Sequence, residues 1–219
     1  MAELKPSESQ EVHHPVFARL YTRVADTADR RGATEHRRKL LAGLRGRVVE
    51  VGAGDGANFP YYPAAVTEVL AIEPESYLRE RALEAAANAA VEVNVVDGVA
   101  DRIPAGDASC DAGVVSLVLC SVPDQARALD ELHRVIRLGG ELRFYEHVVS
   151  TKPWFAVLQR GADALFWPHL AGGCHTSRDT RSAIERAGFE IGRCERFAFS
   201  PSLVTPPMPF ILGVARRPA

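Results

Sequence analysis

A cluster of glycines and glutamates in the first third of the sequence has the spacing of a nucleotide-binding turn. Three glycines stand at alternate positions: Gly52, Gly54 and Gly56. They follow the apolar run Val48–Val51, and glycine lets the backbone turn sharply and lets a ligand approach closely. Glu50 lies within that run, and Glu73 ends the next apolar run. An acidic residue after the second strand hydrogen-bonds ribose hydroxyls in nucleotide-binding folds, so this pattern predicts a nucleotide ligand.

The glycines alone fit more than one nucleotide cofactor. Gly52, Gly54 and Ala57 also satisfy the dinucleotide fingerprint, which leaves a nicotinamide oxidoreductase open. Glu50, however, would repel a pyrophosphate and would stabilise a cationic or amine-bearing ligand. The chain also holds about one mononucleotide-binding half plus two further strands, less than a second full half needs. These features argue against a nicotinamide cofactor.

Two histidines in the second half are candidate bases. His147 follows a predicted strand, and His175 lies in a glycine-containing loop. The pKa of histidine lies in the useful range for proton transfer, although ordinary loop or capping roles explain both residues equally well. The four cysteines are far apart and form no C-x-x-C pair, which argues against a zinc site or a disulfide framework. Cys120 and Cys174 are therefore predicted to be small buried residues, and no metal is expected.

Strands and helices that alternate along the chain are predicted to position the glycine turn, the glutamates and the histidines. Strands are predicted at 48–51, 68–73, 91–96, 112–118, 141–149, 189–197 and 210–216, and helices at 34–44, 76–90, 123–136, 154–167 and 178–187, with a further helix from Pro15. The alternation predicts a parallel sheet with helices on both faces. Ser76 is predicted to cap its helix, and the glycine turn is predicted to lead into a helix whose first N–H groups face the ligand.

Composition restricts the class of protein. The 219 residues fit one domain, with 47% apolar and 25% charged residues, as is ordinary for a globular protein. A net charge of −2 provides no basic field for nucleic acid or an anionic membrane. The longest apolar run, Ala112–Val118, is too short to span a bilayer, and the N-terminus has no signal-peptide core. A cytoplasmic location is predicted.

Four short strings resemble motifs of the class I S-adenosylmethionine-dependent methyltransferases and stand in the family's order. They are Glu50–Gly56 (EVGAGDG), Ile72–Pro74 (IEP), Cys110–Leu119 and Arg137–Gly140 (RLGG). The resemblance covers about residues 45–150. It implies an α/β fold, a Rossmann-like seven-stranded, mostly parallel, doubly wound sheet with the last strand antiparallel and N-terminal helices as a lid. It also implies S-adenosyl-L-methionine as methyl donor and S-adenosyl-L-homocysteine as product.

A narrower resemblance is to the methyltransferase-like family that includes microsomal alkyl-thiol S-methyltransferases. The strings that carry it are Ala57–Phe59, Tyr62–Pro63, Leu117–Val122, Glu146–Val148, Gly173–Cys174 and Thr176–Arg178. This resemblance implies a small-molecule thiol as methyl acceptor. Members of that family carry an N-terminal membrane helix, and none is predicted in this sequence.

The resemblance assigns cofactor roles to individual positions. The glycine loop would pass beneath the methionine and ribose, and Glu73, next to Pro74, would bind both ribose hydroxyls. Backbone groups of Val99 and Ala100 would meet the adenine. The remaining assigned or alternative positions are Glu50 and Asn58 beside the cofactor, Ser116 and Leu117 at the methionine, Tyr21 as a lid, and Asp97 or Asp101 for the adenine amino group.

Several of these assignments have a structural alternative. Glu50 could instead accept hydrogen bonds from loop amides, and Asn58 could instead cap a helix. Tyr21 could simply pack in the core. At the adenine end, Val99 stands where the family usually has an aspartate, so the residue that meets the amino group stays open between Asp97 and Asp101.

The expected function is methyl transfer from S-adenosylmethionine to a small, fairly apolar acceptor, and a thiol is the leading candidate for that acceptor. The alternatives are an O-, N- or C-methyltransferase on a phenol, amine, quinone or lipid headgroup, or a non-catalytic S-adenosylmethionine-binding module. No Asn/Asp-Pro-Pro-aromatic string follows the fourth strand, so nucleic acid is not expected as a substrate.

One domain is predicted over 1–219, with disorder at 1–12, lid helices at 13–45, a cofactor core at 46–150 and a substrate cover with the final strands at 151–219. Apolar residues are expected to supply that cover: Trp154, Phe155, Leu158, Phe166, Trp167 and Leu170.

Overall fold

A computed structural model describes residues 27–202 and 205–219, and seven of its strands form one sheet. The strands are β1 Gly46–Val51, β2 Val66–Ile72, β3 Val93–Val96, β4 Cys110–Ser116, β5 Ile136–His147, β6 Glu190–Phe199 and β7 Met208–Arg216. Their order is β3-β2-β1-β4-β5-β7-β6. The pairs from β3 to β5 are parallel, and β7 is antiparallel to both β5 and β6. The predicted fold class, including the antiparallel last strand, is confirmed.

Helices cover both faces of this sheet. They are α1 Thr34–Leu41, α2 Ser76–Ala86, α3 Gln125–Val135, α4 Pro153–Leu165, α5 Trp167–Leu170 and α6 Thr180–Arg186, with a π-helical turn Asp29–Ala33 before α1. On one face, Leu129 and Leu132 of α3 pack with Val115 of β4. On the other face, Leu40 and Leu41 of α1 share a core with neighbouring strand residues. Burial on two faces explains why the central strands read as nearly continuous apolar runs.

The predicted helix directly after the glycine turn is wrong. The segment between β1 and β2 contains one short 3₁₀ helix, Phe59–Tyr61. Pro60 suits the first turn of a helix, but Pro63 follows three residues later and has no N–H to continue the helical hydrogen bonds. The segment directly after β1 is therefore an irregular loop, and no helix N-terminus lies where the sequence predicted one to face the ligand.

Two other helices differ from their predictions. Glu75, one residue before the predicted cap Ser76, is the N-cap of α2, and its side chain accepts the Leu78 N–H at 2.8 Å. The predicted helix 154–167 is divided into α4 and α5, because the chain leaves helical geometry at Phe166 and Pro168 follows.

The surface of α4 and α5 is unusually apolar. Its exposed large side chains are Trp154, Val157, Leu158, Leu165, Phe166 and Leu170. Phe155, by contrast, packs against the core on the α1 face of the sheet. Within the described parts of the chain, no helix has the length and apolar character needed to cross a membrane.

Candidate active site

The residues singled out by the sequence gather where the strand order reverses. β1 pairs with β2 on one side and with β4 on the other, and the chain proceeds outward in opposite directions from these pairs. In open α/β sheets, a ligand binds at the carboxyl ends of the strands at such a switch point. The glycine loop follows β1 at this edge, Glu73 follows β2, and Leu117 follows β4.

The glycine loop needs glycine for both conformation and space. The φ angles of Gly52, Gly54 and Gly56 are 65°, 60° and 80°, in the left-handed region. A Cβ on Gly52 would lie 2.5 Å from a methyl carbon of Val118. The N–H groups of Gly52 and Ala53 both donate to the Ile72 carbonyl, at 2.8 and 3.0 Å, which fixes the loop against the end of β2.

Glu73 connects the two sides of this crevice. Its Oε2 accepts the Gly54 N–H at 2.8 Å, and its Oε1 accepts the Glu75 N–H at 3.0 Å. Burial raises the pKa of the Glu73 carboxyl, although these backbone N–H groups act in the opposite direction. Each carboxylate oxygen has a second acceptor site, so a diol remains able to bind.

Two buried oxygens at this edge are available to a polar ligand. Among the described residues, Ser116 Oγ and Glu75 Oε1 are buried and have no hydrogen-bond partner. Buried polar groups in proteins are nearly always paired. Leu117, next to Ser116, has a φ of 63°, a strained conformation for leucine that is common at ligand sites. A ligand with hydroxyl and amino groups, such as S-adenosylmethionine, fits these unpaired atoms.

Glu50 and Asn58 are held in a buried network. Glu50 accepts from Asn58 Nδ2 at 2.6 Å and from the Tyr62 hydroxyl at 2.7 Å. Asn58 Oδ1 accepts from Arg37 Nη1 at 3.2 Å. Burial raises the pKa of Glu50 to about 7, against the opposing effect of its hydrogen bonds. The network fastens the segment after the glycine loop to β1.

Neither predicted structural alternative for this pair is observed. Glu50 contacts side chains instead of loop amides, and Asn58 precedes the 3₁₀ helix without making a capping hydrogen bond. The cofactor contacts assigned to both residues stay predictions. Tyr21, the predicted lid, lies outside the described residues.

The predicted adenine end is a turn packed on β2. A Cβ on Gly98 would lie 2.9 Å from an Ile72 methyl carbon. The Arg79 guanidinium donates to the carbonyls of Glu73 and Pro74, each at 2.9 Å, and pairs with Asp97 at 3.3 Å. Both aspartates considered for the adenine amino group, Asp97 and Asp101, are exposed. Val99 and Ala100 lie between them in the turn, half-buried.

Glu146 is a site residue that the sequence reading did not assign. It is fully buried at the end of β5. Its carboxylate accepts the N–H groups of Val118 and Leu119 at 3.0 Å and that of Cys120 at 3.1 Å. Burial raises its pKa, while these three hydrogen bonds lower it. A charged residue inside an apolar strand, next to His147, was the sequence signal for this role.

The structure brings both candidate bases to the loop after β4. His147 Nδ1 lies 3.4 Å from the Cys174 sulfur and 3.9 Å from the Cys120 sulfur. The backbone N–H of His175 donates to the Cys120 carbonyl at 2.7 Å. The His147 ring also packs on Phe210, with ring centres 4.2 Å apart. Cys120 and Cys174 are buried as predicted, but they are neighbours.

Comparisons with known proteins agree with this architecture. The family described as "Methyltransferase domain" matches residues 49–144. Thiol S-methyltransferase TMT1B of Mus musculus is 35% identical over 183 residues, which cover 81% of this chain and 74% of that protein. Thiol S-methyltransferase TMT1A of Homo sapiens is 36% identical over 155 residues, covering 68% and 63%.

A solved structure supports the same fold. A protein of Thermotoga maritima, described as an S-adenosylmethionine-dependent methyltransferase and possible histamine N-methyltransferase, superposes with a TM-score of 0.70. The alignment covers 92% of this chain and 97% of that one, at 21% identity.

Proposed function

Because this chain belongs to the family of S-adenosylmethionine-dependent methyltransferases that includes thiol S-methyltransferases TMT1A and TMT1B, we propose that it methylates the sulfur of a small, apolar thiol. The extent of the similarity to TMT1B carries this proposal. The 183 aligned residues exceed the length of the cofactor-binding core, so the similarity extends into the segments that we propose to face the acceptor. Similarity to TMT1B that was limited to the cofactor-binding core would not support the same class of methyl acceptor.

The cofactor half would hold the donor through the crevice at the switch point. Bound S-adenosylmethionine supplies an electrophilic methyl group on a sulfonium, and the departing thioether is neutral. The glycine loop gives the ligand close access to the backbone, and Glu73 accepts from the ribose hydroxyls. Ser116 and Leu117 border the methionine part, where the Ser116 hydroxyl gains the partner that it lacks.

The remaining cofactor contacts are proposed as in the family. Glu50 and Asn58 lie beside the cofactor, Pro74 follows the ribose-binding Glu73, and the backbone of Val99 and Ala100 meets the adenine. Asp97 or Asp101 accepts from its amino group. Asp97 is the more restrained of the two, because Arg79 already holds it.

A thiol acceptor would require little activation at this site. A thiol has a pKa of about 8.5 and is partly thiolate near neutral pH, so positioning of sulfur and methyl group in line supplies much of the acceleration. His147 or His175 would accept the thiol proton, since both lie at the loop after β4. A phenol or alcohol would depend more strongly on such a base.

A matched acceptor panel tests this proposal. The purified protein is incubated with methyl-labelled S-adenosylmethionine and an alkyl thiol, a phenol or an amine with the same apolar group. We expect label mainly in the thioether. Label in the phenol or amine with the thiol inert would refute S-methylation and support the O- or N-methyltransferase alternative. Calorimetric binding of the cofactor without transfer to any acceptor would support a binding module.

A further inference from the structure

Three metal-ligating side chains meet at the loop after β4. The Sγ atoms of Cys120 and Cys174 are 3.7 Å apart, and His147 Nδ1 lies 3.9 Å from the first and 3.4 Å from the second. The three residues come from the loop after β4, the end of β5 and the loop before α6. Convergence of two thiols and an imidazole nitrogen from separate segments forms a ligand set of the kind that binds zinc.

The distances match the edges of a tetrahedral zinc centre. With Zn–S bonds of about 2.3 Å and a Zn–N bond of about 2.0 Å, tetrahedral angles place two sulfurs about 3.8 Å apart and a sulfur and a nitrogen about 3.5 Å apart. The observed separations of 3.7, 3.9 and 3.4 Å lie within a few tenths of an ångström of these values. The three ligand atoms are therefore spaced as a tetrahedral zinc centre requires.

Both cysteine loops are held in place by contacts that do not involve the ligand atoms. Glu146 accepts the backbone N–H of Cys120 at 3.1 Å, and His175 donates its own N–H to the Cys120 carbonyl. Gly173, with a φ of 84°, lies so close to Ser121 that a Cβ would be 2.8 Å from the Ser121 carbonyl oxygen.

The guanidinium group of Arg178 also connects the two loops. Arg178 Nη1 donates to the carbonyls of Leu119 and Val122, at 2.7 and 2.8 Å. Together with the contacts of Glu146, His175 and Gly173, this fixes the backbone of the two loops that carry the sulfurs before any ion binds. Preorganised ligands reduce the ordering cost of metal binding.

We propose that Cys120, His147 and Cys174 bind one zinc ion. Binding would release one proton from each thiol to solvent, and the two thiolates would balance the charge of Zn²⁺. A neutral centre suits this location, because both cysteines are buried. Zinc would occupy His147 Nδ1 and leave the proposed proton transfer to His175. Within the described residues the cluster offers three ligands, so the fourth position would take an outside ligand such as water.

Cobalt substitution tests the site without an activity readout. The full chain, reduced with a phosphine and freed of metal, is titrated with Co²⁺. We expect one equivalent to bind, with thiolate-to-cobalt charge transfer in the near ultraviolet and the visible bands of a tetrahedral ion. One equivalent of Zn²⁺ should abolish both spectral features. The Cys174→Ser and His147→Ala variants should weaken zinc binding by more than about 100-fold.

Matched variants separate the site from general thiol binding. Cys110 is buried and Cys194 half-buried, and both lie outside the cluster, so Cys110→Ser and Cys194→Ser should retain the cobalt spectrum. Circular dichroism and cofactor calorimetry establish that each variant is folded. Absence of stoichiometric cobalt and zinc binding by the reduced wild-type chain would overturn the proposal. An unchanged spectrum in a folded Cys174→Ser variant would overturn it as well.

Discussion

At the scale of single residues, Glu73 has an observed structural role and a proposed role in binding the ribose. Its two carboxylate oxygens already hold the N–H groups of Gly54 and Glu75, so the side chain is fixed before the cofactor binds. It is only 5% exposed. Such a side chain loses little rotamer freedom when the ribose hydroxyls arrive, which favours tight binding.

Replacing Glu73 tests the ribose assignment. We expect Glu73→Ala to weaken S-adenosylmethionine binding by about 1.5–3 kcal/mol, the range for hydrogen bonds to a charged group. Calorimetry gives the dissociation constant, and urea unfolding shows whether the fold is retained. Glu80→Ala, which removes an exposed carboxylate from α2, is the matched control and should bind like the wild type. An unchanged dissociation constant in a folded Glu73→Ala variant would refute the assignment.

At the scale of elements, the proposed acceptor side depends on two loops that dock against each other. The loop before α6 contacts the loop after β4 through Gly173, His175 and Arg178. Asp163 of α4 holds the same loop from the other side, because its carboxylate accepts the N–H groups of Thr176 and Ser177 at 3.0 and 2.8 Å. The docking therefore connects α4 to the end of the sheet.

A pair of glycine substitutions measures this docking. Gly173→Ala introduces a Cβ at a φ of 84° and 2.8 Å from a carbonyl oxygen, so we expect a loss of at least about 1–2 kcal/mol in the free energy of unfolding. Gly161→Ala, inside α4 with no atom within 4 Å of the new Cβ, should stabilise the protein by about 0.5–1 kcal/mol. Urea unfolding of both variants provides the comparison. Equal effects of the two substitutions would contradict the tight approach of the loops.

The sequence predicted local features better than contacts between distant segments. The strands, the glycine turn and the position of Glu73 follow from apolar runs and backbone requirements, which a short window contains. The helix expected after β1 does not form, because Pro63 cannot donate a helical hydrogen bond, and the nucleotide-binding glycine pattern carries no information about that residue. The cysteine cluster could not be seen, since Cys120 and Cys174 are 54 positions apart and meet only through the docked loops. The role of Glu146 could not be predicted either, because its three N–H partners lie in the loop after β4, distant in the sequence.

At the scale of the whole molecule, the ligand edge of the sheet concentrates buried carboxyl groups. Glu50, Glu73 and Glu146 follow or end β1, β2 and β5, and burial raises the pKa of each. A raised carboxyl pKa means that the folded protein holds the proton at pH values where the unfolded chain has lost it. Stability should therefore fall as pH rises from the unfolded pKa of about 4.3 through the folded one.

Glu50→Gln should remove part of this pH dependence. The pKa of about 7 for Glu50 corresponds to a total destabilisation of about 4 kcal/mol that develops between about pH 4.3 and pH 7. Glutamine keeps an uncharged group of the same shape against Asn58 and Tyr62. We expect the unfolding free energy of the variant, minus that of the wild type, to rise by about 3 kcal/mol from pH 4.5 to pH 8. Urea titrations across this range measure it, and a constant difference would contradict a raised Glu50 pKa.

We propose that the crevice at the switch point delivers a methyl group to a thiol beside the loop after β4. The most direct measurement counts products: the protein, an alkyl thiol and methyl-labelled S-adenosylmethionine are incubated, and both products are quantified by mass spectrometry. We predict labelled thioether and S-adenosylhomocysteine in equal amounts, with both reduced in Glu73→Ala at limiting cofactor. S-adenosylhomocysteine without labelled thioether, or cofactor binding with neither product, would contradict the account.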